Sequence, residues 1–484
     1  MTIGNQSLKK NFILNALLTM SGFIFPLITF PYVSRVLLAA GYGKVEFGTS
    51  VIATFSIFAQ LGIPTYGIRA CARVRDSREE LTRTAHELLL INLITTILTY
   101  AVLAVAIMVV PKYREERILL IIMSLTIMLT SIGMEWLYKA LEQYKYITIR
   151  SLVFKAIGVV AMFLLIHSEE DYVIYGAITI FAVSASNILN LINAHKYIGF
   201  KPVGGYDLRR HIKPVAIFFA MACATTIYTH LDNNMLGLMT TDVDVGYYGA
   251  AVKIKNLLIT VVTSLGAVLL PRASYYVEQG NMEEFRRITA KALNFVFLIA
   301  APLTVYFTLF AKEGILFLSG DDFYGAITPM QVIMPTLFFV GLTNVLGIQI
   351  LVPTGREKVV LYSEIAGAVV DLIINALLIP GMHATGAAVG TVVAEFVVLA
   401  VQYYALRKEI AYAFGEICYW KIAVGILLGS AISIGVSYLG LSVFLTLLVS
   451  AVLFFGGYGL FLLLSKESLT TELFSQVMER IRKR

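Results

Sequence analysis

Ionisable side chains lie inside long apolar runs of this 484-residue sequence, and they are the residues best suited to chemistry. One ionised side chain at membrane depth costs on the order of 3 kcal/mol on insertion scales, so such residues usually pair or face water. The basic members of this set are Arg35, Lys155, Lys253 and Lys255, and the acidic members are Asp232, Glu364, Asp371 and Glu395. A set of this kind can bind a charged substrate or carry a coupling ion.

The four basic residues favour an anionic substrate. Arg grips phosphate in bidentate fashion, and Lys does so as a point charge. A cavity lined by these four, with Asn, Thr and Tyr side chains, would hold a diphosphate and hydroxyl-rich sugars. A cavity for a cationic drug would instead be acidic and aromatic. Arg35 and Lys155 have a second interpretation, since each could extend its charged end to lipid headgroups.

The acids also have two interpretations each. Asp371 and Glu395 lie deepest in their apolar runs, where a carboxylate cannot easily reach the interface and could carry a proton. Asp232 could serve only to neutralise a lysine of the following run. Glu46 and Glu135 lie closer to an interface, where pairing with a neighbouring polar group is an equally good explanation.

Polar residues follow helical spacing on three of the apolar runs. The three stripes are Lys253, Asn256, Thr260 and Thr263; Glu364, Asp371 and Asn375; and Asn187, Asn190 and Asn193. Several helices with one polar face each predict a hydrated cavity between them.

The elements that must position these residues are membrane-spanning helices. The sequence is 58% hydrophobic and only 14% charged, whereas globular domains carry about 25% charge, so most of its surface must face lipid. A span needs roughly 20 apolar residues. Runs of this kind lie near 12–33, 45–68, 84–110, 118–138, 146–166, 173–194, 214–239, 246–270, 289–311, 326–352, 359–379, 385–405, 422–438 and 442–464. We therefore predict an all-α integral membrane protein of about fourteen helices.

The distribution of basic residues predicts the orientation of these helices. The N-terminus and every second connection hold 28 of the 38 Lys and Arg residues, and the opposite face holds six. Cytoplasmic loops carry the excess of basic residues, so both termini are predicted to be cytoplasmic. The formal net charge of +7 therefore indicates membrane orientation and not nucleic-acid binding.

Short matches at a nearly constant offset predict an internal repeat. Gly41-Tyr42-Gly43 resembles Gly246-Tyr247-Tyr248-Gly249, and Gly176-Ala177 resembles Gly386-Ala387. We predict an N-lobe of helices 1–6 over 1–200, a C-lobe of helices 7–12 over 201–410, helices 13–14 over 411–464, and a cytoplasmic tail over 465–484. Two parallel six-helix lobes are typical of transporters that rock about a central site.

Several other functions lack their motifs in this sequence. The three cysteines, Cys71, Cys223 and Cys418, stand far apart without metal or disulfide spacing. There is no P-loop, HExxH or GxSxG, so neither ATP hydrolysis nor a hydrolytic activity is indicated. We expect a protein that is not an enzyme and needs no cofactor.

Three longer motifs stand out: FPLITFPYVSRVL at 25–37 followed by Gly41-Tyr42-Gly43, WLYKALEQYKYIT at 136–148, and DNNMLG at 232–237 with VGYYGAAVKI at 245–254. They resemble Wzx-type polysaccharide flippases of the multidrug/oligosaccharidyl-lipid/polysaccharide exporter superfamily. The resemblance runs from helix 1 into helix 12. Members often carry a basic residue after the helix 7 aspartate, where this chain has Asn233.

The resemblance implies a transporter of undecaprenyl-diphosphate-linked oligosaccharide repeat units in the bacterial cytoplasmic membrane. Such families use two six-helix lobes, alternating access and a cationic central cavity, with an ion gradient or membrane potential as the drive and a glycan polymerase as a partner. Arg35, Asp232 and Lys253 fall in the matched motifs. Lys155, Lys255 and the acids of helices 11 and 12 rest on the burial argument alone.

Three alternatives stay open. An antiporter for cationic drugs on the same fold would depend on Asp371 and Glu395 and would tolerate loss of Arg35. A peptidoglycan-precursor flippase would share the mechanism and differ in its substrate. A membrane glycan polymerase or acyltransferase would need a sizeable outer loop, and the outer loops here are short.

Overall fold

The computed structural model of the chain describes residues 8–472 and 474–475 and is helical, with no strand in that part of the chain. The helices form two compact units that divide between Gly246 and Tyr247.

The first unit contains ten helices among its described residues. They are α1 (Leu8–Gln60), α2 (Ile63–Arg73), α3 (Arg78–Val109), α4 (Pro111–Glu115), α5 (Arg117–Gly133), α6 (Glu135–Ala140), α7 (Tyr144–Leu165), α8 (Tyr172–Ile180), α9 (Asn187–Asn193) and α10 (Arg209–Met239). A π-helical segment, Phe181–Ala185, joins α8 to α9. Helix α1 packs against α3, α5, α7 and α10, and so organises this unit.

The second unit begins within α11 (Asp242–Glu278). It continues with α12 (Met282–Leu309), α13 (Ala311–Ser319), α14 (Ile327–Ile333), α15 (Thr336–Thr343), α16 (Glu357–Gly415), α17 (Tyr419–Ile434) and α18 (Val443–Leu464). A π-helical segment, Asn344–Leu351, follows α15. Buried side chains of α11, α12, α16 and α18 contribute to one apolar core.

The structure confirms a multi-span helical membrane protein. Within the described residues, ten helices are long and apolar enough to cross a membrane, or eleven if the bent pair Asp321–Ile333 and Thr336–Leu351 is one span. Helices α1 and α16, with 53 and 59 residues, would be roughly 80–90 Å long if straight, about three times the hydrocarbon thickness. Each is broken, at Leu38 and at His383, where φ is 57° and 51°. Helix α16 therefore contains two predicted spans, and α1 contains the first predicted span and most of the second, which continues into α2. The total of fourteen and the cytoplasmic termini stay predictions.

The fourth predicted span, 118–138, lies within the candidate span Arg117–Ala140, which is interrupted near its end. Helix α5 stops at Gly133, and Met134 adopts the left-handed conformation with φ 41° before α6 begins at Glu135. The Met134 side chain is fully buried, so packing of an apolar side chain compensates for backbone strain that the sequence does not reveal. Glu135 therefore lies in the first turn of α6 and not inside a continuous helix.

Two glycines of the predicted repeat allow α1 and the start of α11 to meet backbone to backbone. A Cβ atom on Gly43 would overlap the carbonyl of Asp242, and one on Gly246 would overlap the carbonyl of Ala39. Only a residue without a side chain fits at such a contact.

We predict that Gly43→Ala lowers the thermal unfolding midpoint of the purified protein. The added methyl group has to displace backbone, and overpacking of this kind typically costs about 1–3 kcal/mol. Gly456→Ala is the matched control, because a Cβ atom there would have no neighbour within 4 Å. Equal midpoints for the two variants would contradict the close contact.

A buried carboxylate ties the start of α10 to α3. Glu87 is fully buried and accepts hydrogen bonds from Arg210, from His211 Nε2 at 2.8 Å and from the Asp207 amide at 2.8 Å. The hydroxyl of Tyr66 on α2 lies 2.9 Å from His211 Nδ1. Because a buried charge is stable only with such partners, this cluster fixes the segment before α10 against the first unit.

A second carboxylate caps the helical segment after α18. Glu467 is 1% exposed and accepts hydrogen bonds from Thr470 N at 2.7 Å, Leu469 N at 3.2 Å and Asn294 Nδ2 at 3.0 Å. Burial raises the pKa of Glu467, but these hydrogen bonds together outweigh burial and hold the pKa below its ordinary value. Asn294 belongs to α12, so the cap also fastens the C-terminal segment to the core of the second unit.

We predict that this cap makes stability depend on pH. With a folded pKa below the unfolded one, the contribution of Glu467 is complete above the ordinary glutamate pKa and is lost as pH falls through the folded pKa. Glu467→Gln should lower the free energy of unfolding at neutral pH by about 1–3 kcal/mol. The difference between the variant and the wild type should shrink in acid. A difference that stays constant with pH would show that the charge is unimportant.

Candidate functional site

The predicted site residues are distributed over both compact units. Arg35, Lys155 and Asp232 belong to the first unit, and Lys253, Lys255, Glu364, Asp371 and Glu395 belong to the second. Their surroundings are therefore described unit by unit.

Arg35 lies in the last turn of the first half of α1, three residues before the break at Leu38. Its side chain is exposed, and Nη1 donates a hydrogen bond of 2.6 Å to the carbonyl oxygen of Pro31. A cation at a helix C-terminus is stabilised by the helix dipole. The helix break therefore holds an exposed guanidinium group in a defined place.

Lys155 occupies a different depth from Arg35. Its Nζ atom donates a hydrogen bond of 2.8 Å to Ser21 Oγ, which joins α7 to the first half of α1. Ser21 precedes Arg35 by fourteen positions on the same helix, a separation of roughly 21 Å along the axis. The two cations of the first unit therefore do not converge on one point.

A polar stripe follows the second half of α1. Its members recur every fourth residue and so share one face of the helix: Tyr42, Glu46, Ser50 and Thr54. Tyr42 Oη donates a hydrogen bond of 2.6 Å to Glu46 Oε1. The pairing interpretation of Glu46 thus has a partner one turn away, and the i, i+4 spacing is the sequence signal that could have identified the whole stripe.

Helix α10 contributes polar partners to this stripe. Ser50 Oγ lies 3.3 Å from His230 Nδ1, and Asn234 Nδ2 donates a hydrogen bond of 2.9 Å to Thr54 Oγ1. Asp232, between them in sequence, is 5% exposed. The predicted acid of α10 is therefore buried, about 200° around the helix from His230 and Asn234.

Arg150 and Glu135 form a second polar cluster. Arg150 Nη2 contacts Glu135 Oε2 at 3.2 Å, and its Nη1 donates a hydrogen bond of 3.0 Å to Asn187 Oδ1. Glu135 also pairs with Lys139 at 2.9 Å. The first residue of the predicted asparagine stripe is thus used to bind a buried arginine, which supports the pairing interpretation of Glu135.

In the second unit, the two halves of α16 pack as an antiparallel hairpin about His383. Gln402 Nε2 donates a hydrogen bond of 3.0 Å to Ser363 Oγ. A Cβ atom on Gly390 would overlap Asn375 and would lie 3.0 Å from Asp371 Oδ1. Asp371 and Asn375 are 1% and 0% exposed, so the hairpin places a carboxylate and an amide beside a glycine in its interior.

Helix α11 reaches the same region through a hydroxyl pair. Tyr248 Oη and Thr391 Oγ1 lie 2.8 Å apart, and Thr391 directly follows Gly390. Lys255 comes seven residues after Tyr248 and shares its helix face, whereas Lys253 lies about 140° away. Lys255 is 9% exposed and Lys253 is half-buried. Lys255 is therefore on the face that packs against α16, and Lys253 is the more accessible of the two.

Glu364 and Glu395 are both half-buried on α16. Glu364 follows the buried Ser363, and Glu395 lies one turn beyond Thr391. In the predicted stripe of Glu364, Asp371 and Asn375, the last two side chains are therefore buried and Glu364 is partly accessible.

The sequence matches two family patterns. The pattern of the polysaccharide biosynthesis protein family covers residues 8–277, and the MatE pattern covers residues 216–377.

Two curated relatives cover most of the chain. A protein named as a candidate O-antigen transporter of Escherichia coli (strain K12) is 23% identical over 84% of this chain and 99% of its own length. A protein of the same name from Shigella dysenteriae is 23% identical over 76% of this chain and 91% of its own.

Solved structures show the same fold at low identity. The lipid II flippase MurJ in an inward closed conformation has a TM-score of 0.72 at 16% identity, over 98% of this chain and 100% of that one. An inward-facing multidrug resistance transporter of the MATE family has a TM-score of 0.58 at 14% identity, over 84% and 99%. The predicted membership is confirmed: the chain belongs to the polysaccharide biosynthesis protein family, the Wzx-type branch of the multidrug/oligosaccharidyl-lipid/polysaccharide exporter superfamily.

Proposed function

We propose that this protein moves undecaprenyl-diphosphate-linked oligosaccharide repeat units from the inner to the outer leaflet of the bacterial cytoplasmic membrane. Family membership carries the proposal, and the names of the relatives, O-antigen transporter and lipid II flippase, agree with a lipid-linked oligosaccharide as cargo. Both termini would be cytoplasmic, and the lobes 1–200 and 201–410 would alternate in exposing the substrate. A glycan polymerase would act on the product.

The diphosphate would bind cationic side chains and the sugars would bind hydroxyl and amide groups. Arg35 and Lys253 are the proposed diphosphate contacts, because Arg35 is exposed and Lys253 is the more accessible lysine of α11. Lys155 and Lys255 would raise the positive potential of the path; the first donates a hydrogen bond to Ser21 and the second is buried. The prenyl chain would remain in lipid, because its transfer to water is unfavourable.

Substitution of the proposed contacts should stop transport. We predict that Arg35→Ala and Lys253→Ala each abolish crossing of a fluorescent prenyl-diphosphate oligosaccharide in proteoliposomes, with unchanged protein level. The assay scores lipid-linked glycan that a membrane-impermeant glycosidase can reach. Arg117→Ala is the control, since Arg117 is an exposed cation outside the proposed path. Normal crossing in both test variants would refute the cationic path.

The coupling ion would act on the buried acids. Asp371 is the best placed, because it is 1% exposed and lies beside Asn375 and Gly390 in the interior of the hairpin. A carboxylate in such a place can hold a proton or a hard cation such as sodium. Asp232, Glu364 and Glu395 would be secondary coupling or ion-pair residues.

We predict that Asp371→Asn uncouples transport from the ion gradient. The amide keeps the size of the side chain and cannot release a proton or balance a cation, so an imposed proton or sodium gradient should no longer accelerate crossing. The measurement compares initial crossing rates with and without each gradient, and Glu357→Gln, at the exposed start of α16, is the control. Gradient acceleration equal to that of the wild type would exclude Asp371 as the coupling residue.

An antiporter for cationic drugs is the second candidate function, because the MatE pattern matches residues 216–377. Such an antiporter would need Asp371 and Glu395 and would retain activity in Arg35→Ala. Uptake of a cationic dye by the same proteoliposomes, without glycan crossing, would select it. Competition by a peptidoglycan lipid precursor would in turn identify a precursor flippase.

A further inference from the structure

A cavity of ≈ 500 Å³ lies beside the first turns of α7, apart from the residues assigned to transport. Lys145, Tyr146 and Arg150 line its polar side, and Ile149, Val153 and Leu189 line its apolar side. A cavity of this size accommodates a small head group together with the first methylene groups of a chain.

The polar side contains a buried cation with unused hydrogen-bonding capacity. Arg150 is 6% exposed, and its two terminal nitrogens bind Asn187 and Glu135. Its Nε–H group is buried without a hydrogen-bond partner among the described residues. This nitrogen is enclosed by the protein, so Arg150 acts on the cavity through its positive charge.

The charge around the cavity is positive. Lys145 and Arg150 are the charged side chains that line it. Glu135, which is outside the lining, pairs with Arg150. Lys145 is exposed in the first turn of α7, whose cap residue Gln143 supplies no side-chain hydrogen bond. Helix N-termini and cationic side chains both attract phosphate.

The apolar side continues onto a surface suited to lipid. Ile149 is 50% exposed and Val153 is 49% exposed, and Leu152 between them is 38% exposed. Exposed aliphatic side chains on a membrane helix face hydrocarbon. A ligand with a phosphate at one end and an acyl chain at the other therefore matches the cavity and the surface below it.

We propose that this cavity is a binding site for an anionic glycerophospholipid of the adjoining leaflet, with its phosphate held by Lys145 and Arg150 and one acyl chain lying on Ile149 and Val153. Basic pockets of this kind between membrane helices bind anionic head groups. With the predicted orientation, this leaflet is the cytoplasmic one. The site goes beyond the proposed transport function and does not depend on it.

The phospholipid fits this cavity better than the transported glycolipid does. The polar groups of the lining are Lys145, Arg150, the Tyr146 hydroxyl and the Gln143 amide, and the hydroxyl already donates to the Leu189 carbonyl at 2.9 Å. These few groups suit one phosphate, whereas an oligosaccharide needs many hydrogen-bonding groups, and the other lining residues are aliphatic and aromatic. The cavity therefore suits a resident lipid.

The test measures lipid binding to the purified full-length protein by native mass spectrometry. Delipidated protein is titrated with dioleoyl phosphatidylglycerol, with dioleoyl phosphatidylcholine, or with undecaprenyl diphosphate. Lys145→Gln removes the exposed charge, and Val153→Trp fills the apolar side at an exposed position without changing charge. Lys358→Gln is the matched control, because Lys358 is an exposed lysine at the second position of α16, as Lys145 is of α7.

We expect one phosphatidylglycerol molecule to bind more tightly than phosphatidylcholine. Lys145→Gln should weaken that binding about fivefold, as expected for one lysine at a membrane surface, Val153→Trp should also weaken it, and Lys358→Gln should leave it unchanged. Equal binding of the two phospholipids, or equal effects of the two lysine variants, would overturn the proposal. Displacement of phosphatidylglycerol by undecaprenyl diphosphate, in a manner that depends on Lys145, would overturn it in favour of the transported lipid. These measurements detect binding and do not require transport, so a negative result would contradict the lipid site without contradicting the proposed function.

Discussion

Hydrocarbon cannot solvate a charge, and this constraint organises the polar interior of both units. The charged side chain of Arg150 can be buried inside the first unit because Glu135 and Asn187 bind its terminal nitrogens. The Glu87 carboxylate can be buried because it pairs with Arg210 and His211 at the start of another helix. In each case the partner that neutralises the charge also fixes two helices against each other. Removing one partner would leave an uncompensated charge, so these pairs determine which helices pack together.

The same constraint explains why small residues accompany the polar ones. Gly390 allows Asp371 and Asn375 to lie against the opposite half of α16. The cross-helix pairs of the two units also correspond, since Ser363 follows Arg150 by 213 positions and its partner Gln402 follows Asn187 by 215. These spacings agree with the offsets near 210 on which the predicted repeat rests. Under the predicted repeat, a cation–amide pair in the first unit would correspond to a hydroxyl–amide pair in the second.

Membrane class, helix positions and family could be predicted because each depends on local properties of the chain. Long apolar runs predict spans by composition, and contiguous motifs such as that at 25–37 predict the family. The pairing of charged side chains could not be predicted, because the partners are far apart in the sequence. Arg210, for example, follows Glu87 by 123 positions. The sequence places Lys253 and Lys255 in the same apolar run, but only the structure shows that Lys255 is buried and that Lys253 is the more accessible lysine.

The depths of the cations in the first unit bear on how a diphosphate could pass. Lys155 is fixed at the level of Ser21, and Arg35 lies about 21 Å further along the same helix. A diphosphate is much shorter than this distance, so it cannot contact both groups at once. Cations placed in series keep the anion attracted along the path without holding it too tightly at one point, because a single deep site would slow release. In the proposed transport, the diphosphate would therefore meet Lys155 and Arg35 in turn and would not bind both at one site, and Arg35 would stand at the end of this path beside the helix break at Leu38.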